Sequence, residues 1–240
     1  MKEDEVKILH SKFYMLAASI AFLGASTAMA TAIGPLNVAN CSGGGVTVSA
    51  TAITWSPNGT VAGTGCIDTG LGTNVTYSGG TLGAGVAGNI KDLVVGGPSP
   101  NDQFMTFTGS TLDFVLTGLG PGSGNTNCSG LAVGASCSVV AGSPFLLTNL
   151  GSGSTAVGLS AIGTVTDGGV TSFWKGAFTT QLNLDASTIQ SEILAGGSIT
   201  STHSGQFVVS AVPEPTTLSM LLFGGLALMG TKLRRRKTNL

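Results

Sequence analysis

Apolar and polar residues alternate at period two in short runs along the middle of the chain, with glycine-rich breaks between the runs. Val46-Thr47-Val48-Ser49-Ala50 is one such run, and Thr111-Leu112-Asp113-Phe114-Val115-Leu116-Thr117 is the most regular. Successive side chains of a strand point to opposite faces, so this spacing predicts half-buried β-strands. The same reading predicts strands over 74–77, 93–95, 104–107, 136–140, 145–148, 157–165, 178–184 and 206–210. Gly79-Gly80, Gly96-Gly97-Pro98, Gly120-Pro121-Gly122, Asp167-Gly168-Gly169 and Gly196-Gly197 punctuate them as turns. One short helix is predicted over 187–194, with Ser187 as its cap and Ile189, Ile193 and Leu194 on one face. Many short strands at such intervals predict an all-β, β-sandwich-like domain. No fixed internal repeat is present, which argues against a regular solenoid.

Two continuous apolar runs flank this alternating region. At the front, Lys2, Lys7 and Lys12 precede apolar residues from Phe13 to Gly24, and Ala28-Met29-Ala30 has the small-x-small form of a cleavage site. This is the grammar of a secretory signal peptide over 1–30, with the exported chain expected to begin at Thr31. Glu3, Asp4 and Glu5 depart from the usual basic start. At the back, Pro213 and Pro215 bias Val212-Pro213-Glu214-Pro215 toward stiff, extended backbone open to a processing enzyme. An apolar stretch follows over 216–231. As a helix its 16 residues would measure about 24 Å, short for a bilayer span of ~20 residues. Lys232, Arg234, Arg235, Arg236 and Lys237 then form a basic stop, which predicts a single transmembrane helix with the main domain outside the cytoplasm.

The order of acidic-proline motif, apolar run and Arg234-Arg235-Arg236 resembles the PEP-CTERM sorting signal of Gram-negative bacteria, a tail also named the ice-binding protein C-terminal domain. That second name describes the tail and does not imply ice binding. The resemblance covers about an eighth of the chain. It implies an exosortase-type membrane protease as partner, cleavage near 212–215, and an exopolysaccharide or biofilm setting. It divides the chain into a signal peptide at 1–30, an extracellular β-rich domain at 31–211 and a sorting tail at 212–240. The implied route is export across the inner membrane, transient anchoring by the C-terminal helix, then delivery to the cell surface or medium. The segment after Cys128, with Ser143-Pro144-Phe145 and Trp174-Lys175-Gly176-Ala177-Phe178, also resembles the bodies of such surface proteins.

Charge narrows the partners further. The formal net charge is −1 over the whole chain, yet five of the ten basic residues sit in the tail. Between 31 and 211, Lys91 and Lys175 face seven acids, a net −5. Phosphate binding needs a basic footprint, so a nucleic-acid partner is not expected. The chain's 38 glycines disfavour long helices. Cys41, Cys66, Cys128 and Cys137 all lie in the exported part, where disulfides are the default. Of three pairings, the nearest-neighbour one is favoured: Cys41–Cys66 and Cys128–Cys137.

Candidate chemistry is sparse. His203 is the one histidine of the exported part, and no G-x-S-x-G elbow exists to give it a serine partner. An exposed structural histidine is expected. Asp102 and Asp167 sit in turns, but no calcium-loop motif surrounds them, and no metal or cofactor is expected. The Thr-x-Thr pairs at 106/108, 164/166 and 200/202 lack the repeat that a flat ice-binding face needs. Trp55, Tyr77 and Trp174 are the candidate ligand-binding aromatics, if exposed together as a sugar platform. The primary expectation is a non-enzymatic exported surface or matrix protein. A carbohydrate-binding module and a secreted hydrolase are the alternatives.

Overall fold

The computed structural model describes residues 31–94, 97 and 101–212. The expected signal peptide at 1–30 and the expected transmembrane helix at 216–231 lie outside the described residues. Among those described, no helix is long and apolar enough to cross a membrane.

The chain forms β1 (Gly34–Asn40), β2 (Gly45–Ser49), β3 (Ala52–Ser56), β4 (Thr64–Thr69), β5 (Val75–Tyr77), β6 (Gly80–Leu82), β7 (Ala87–Lys91) and β8 (Leu93–Val94). It continues with β9 (Asn101–Phe107), β10 (Asp113–Leu119), β11 (Ser136–Cys137), β12 (Phe145–Gly151), β13 (Ser154–Asp167) and β14 (Val170–Leu182). Helix α1 (Ala186–Leu194), β15 (Ser198–Ser201) and β16 (Ser204–Ala211) complete it. The all-β expectation holds, but the sandwich does not. Strands β10-β9-β7-β4-β1-β16-β14-β13 are hydrogen-bonded in that order, and β10 pairs again with β13, so one sheet closes on itself as an antiparallel barrel. Closure removes the open edges that a sandwich would leave.

Strand β13 makes this possible by its length. Its second half, Ala161 to Thr166, pairs with β10, and its first half pairs with β12, which carries β11 as an outer arm. An eight-stranded barrel leaves an interior that side chains can just fill. Here Trp174, Phe104, Phe114, Phe207, Ile67 and Ile90 fill it, all fully buried. Glycines directly opposite in the register make room for three of the aromatic rings: Gly163 faces Trp174, Gly176 faces Phe207, and Gly205 faces Phe178. A Cβ on Gly163 would overlap the Val115 carbonyl oxygen and come within 2.6 Å of the Trp174 ring.

A second sheet, β15-β2-β3-β8, stands at the end of the barrel where β16 begins, and its Val46, Ile53 and Trp55 join the barrel core. A smaller core forms where α1 lays Ala186, Ile189 and Ile193 on Val139, Leu147 and the Cys128–Cys137 bridge. The helix starts one residue earlier than expected. Asp185 occupies the cap position, not Ser187, and makes no side-chain capping bond. Leu194, expected on the buried face, is 60% exposed.

Candidate functional site

The three candidate aromatics do not meet as a platform. Trp55, on β3, is buried; its ring N–H donates to the Lys91 carbonyl at 3.0 Å and its backbone N–H to Asp92 Oδ1 at 2.8 Å. Trp174, on β14, is buried in the barrel, its ring N–H donating to the carbonyls of Val115 (3.1 Å) and Thr164 (3.0 Å). It lies parallel to Phe104 at 6.2 Å and edge-on to Phe207 at 5.4 Å. Tyr77 is half-buried at the end of β5 and packs on the core by itself. A sugar needs an exposed aromatic face, so the expectation for Trp55 and Trp174 is corrected: both are packing residues, each with its indole N–H satisfied.

His203 is also corrected, from exposed to buried. It lies between β15 and β16, with its ring centre 4.7 Å from that of Trp55 and 6.1 Å from that of Phe178. Its backbone N–H donates to Asn40 Oδ1 at 3.2 Å, but neither ring nitrogen has a partner. Burial pushes its pKa down to about 4, so the ring is neutral near pH 7. No serine hydroxyl or carboxylate among the described residues meets it, and a triad built on His203 is not assembled.

The turn acids are accounted for by local bonds or by solvent. Buried Asp167 accepts from both the backbone N–H and the hydroxyl of Ser78, tying the β13–β14 turn to the β5–β6 hairpin. Asp102 is exposed. Cys41, Cys66 and Asp68 come together, but the two sulfurs are bonded to each other and offer no thiolate to a metal. The expected pairing of cysteines is the one present, Cys41–Cys66 and Cys128–Cys137, with Cα separations of 5.8 and 5.3 Å. The β1–β4 register explains the first. Asn40 faces Ile67, so Cys41 and Cys66 fall on the next rung.

One concavity among the described residues has no sequence motif that points to it. It is a cavity of about 440 Å³ between the β2–β3 hairpin, α1, and the loop from Val139 to Phe145. Val48, Ile53, Val157, Ile189 and Ile193 wall it, and Val94, Val140 and Leu194 stand exposed where it opens. Its pieces come from eight separate stretches of the chain, between Val46 and Ser201. The one local signal was Val139-Val140-Ala141, an apolar triplet in an otherwise Gly/Ser-rich loop.

Of the sorting residues, Val212 follows β16 and is half-buried, while Pro213, Glu214, Pro215, Arg234, Arg235 and Arg236 lie outside the described residues. Residues 211–237 match the model of the PEP-CTERM protein-sorting motif. The chain therefore carries the signal of an exported protein sorted by an exosortase, as its residues suggested. Neither the curated proteins nor the solved structures offer a match to this chain.

Proposed function

We propose that this chain is a non-enzymatic surface or matrix module, held briefly by its C-terminal apolar segment and then cut near Pro213–Pro215 in an exopolysaccharide or biofilm setting. The junction between fold and signal carries the reading. Strand β16 ends at Ala211, and the sorting match begins at that same residue. Because β16 lies between β1 and β14 in the barrel, a cut after Val212 leaves every strand and its ladder in the released product. The barrel is thus a cargo complete without its address.

Other features fit this reading. Two disulfides suit an oxidising exterior. The residues that could have served a sugar platform or a hydrolytic triad are engaged in packing: Trp55, Trp174 and His203 are all buried. Intact mass of the protein from host envelope and culture medium tests the proposal, together with co-fractionation with exopolysaccharide. The expected species begins at Thr31, ends within 213–215 and leaves the polysaccharide fraction once the polymer is digested. A species retaining Leu240 in every fraction would overturn it.

A further inference from the structure

The cavity beside α1 is unexplained by delivery to the surface, and its chemistry is selective. Its volume of about 440 Å³ is within the ~300–1,000 Å³ of small-ligand sites. Four of the five hydroxyls that line it are already engaged, and the fifth, on Thr51, belongs to the exposed turn between β2 and β3. Thr180 Oγ1 and Ser201 Oγ bond each other at 2.6 Å, Ser49 Oγ accepts from the Ala52 N–H at 3.1 Å, and Ser143 Oγ accepts from the Phe145 N–H at 3.3 Å. A sugar, nucleotide or peptide would lose water from its many polar groups against such walls and gain few hydrogen bonds in return. A hydrocarbon chain would gain by removing apolar surface from water on both sides. The exposed side chains at the opening, Val94, Val140 and Leu194, let such a chain enter without crossing a polar collar.

Charge selects the head group. Among the described residues, no Lys, Arg, Asp, Glu or His side chain lines the cavity. The exposed ionisable residues on and beside α1 are acids, Asp185 and Glu192. Lys175 is remote, in register with Ile162 and Val208 along the barrel wall, and Lys91 also lies off the lining. Among the described residues, a carboxylate or phosphate head would meet no cation at the mouth. The tail leaves from Ala211, at the far end of β16 from the cavity's Ser201 side. At strand rise that end is about 23 Å away, so the mouth does not open where the tail departs.

We infer that the cavity binds a single aliphatic chain bearing an uncharged head group, taken up as a free amphiphile. This does not depend on where the protein is delivered. The test uses the full chain in a fluorinated surfactant, which mixes poorly with hydrocarbon, and N-phenyl-1-naphthylamine as an uncharged fluorescent probe. Ala50→Trp fills the mouth and Leu194→Glu charges it. Both positions are exposed, and far-UV circular dichroism checks the fold. The expected result is saturable one-site probe binding, weakened about tenfold or more in each variant, with 1-dodecanol displacing the probe about tenfold better than dodecanoate. Equal binding by the variants, or dodecanoate competing as well as dodecanol, would overturn the inference. So would binding seen only on phosphatidylcholine vesicles, which would make this a membrane-facing surface. Probe exclusion with a concentration-dependent dimer would overturn it in favour of a second copy covering the mouth.

Discussion

Replacing Gly163 by alanine adds one methyl group at the most crowded point of the barrel wall. The new Cβ would overlap the Val115 carbonyl oxygen and sit 2.6 Å from Cε2 and Cζ2 of Trp174. Optimal carbon contacts are about 3.5–4.0 Å, so the ring must retreat by roughly 1 Å. Trp174 cannot retreat freely. Its ring N–H is held by the carbonyls of Val115 and Thr164, and Phe104 and Phe207 pack on its faces. The other relief is to part β10 from β13, the seam that closes the barrel. Overpacking costs about 1–3 kcal/mol, and a stranded indole N–H adds about 1–3 kcal/mol. A loss of about 4 kcal/mol is expected. Gly158→Ala, on the same strand, is the control. Its added Cβ meets nothing closer than Leu146 at 4.0 Å, and removal of a strand glycine should stabilise by about 0.5–1 kcal/mol. Urea unfolding of the purified variants measures both. A Gly163→Ala midpoint close to that of Gly158→Ala would refute the reading that glycine makes room for tryptophan. A double-mutant cycle with Trp174→Leu should recover part of the loss, since the two sites are in contact.

Acid should weaken the fold through His203. Burial holds its pKa at about 4 against the ordinary 6.5, so below pH 6.5 the unfolded chain takes a proton that the native chain refuses. Stability then falls from about pH 6.5 toward pH 4, by about 3 kcal/mol in all, and this group contributes no slope above pH 7. His203→Leu should flatten that slope in pH-dependent unfolding and, by removing two unpartnered buried nitrogens, raise stability at pH 7 by about 1–2 kcal/mol; an unchanged slope would refute the assignment. Loop closure over sequence separations of 25 and 9 predicts losses of about 3.5 kcal/mol for Cys41→Ser with Cys66→Ser and about 2.5 kcal/mol for Cys128→Ser with Cys137→Ser, read by urea unfolding. Pro213→Ala with Pro215→Ala should leave a longer, membrane-held form on immunoblots of host fractions, because the extended segment presented to the protease is lost; normal processing would count against cleavage there.

What the chain's pattern revealed, and what it hid, follows from where the information lies. The sorting signal is contiguous, and its residues alone were enough. Strands whose inward positions carry large apolar side chains were also legible, as in β10 with Phe114 and Leu116 and β16 with Phe207 and Val209. Strands whose inward positions carry glycine were not. β4 places Gly65 inward and β7 places Gly88 inward, so neither shows the expected alternation. Those gaps are the other half of the aromatic packing. Several large rings face a missing Cβ, as Trp174 faces Gly163, Phe207 faces Gly176 and Phe178 faces Gly205. A lone tryptophan in a Gly-rich chain therefore reads equally as a surface platform or as a core residue, and only its cross-strand partner decides. The same non-locality separates barrel from sandwich. Both alternate at period two, and they differ here by one pairing, β10 with β13, set by a single strand of 14 residues long enough to serve two neighbours along one edge. A Pro at Ala161, where β13 passes from β12 to β10, would remove an N–H near that handover. If closure depends on this strand as argued, it should unfold the barrel far more readily than Pro at exposed Val133, in a loop between β10 and β11.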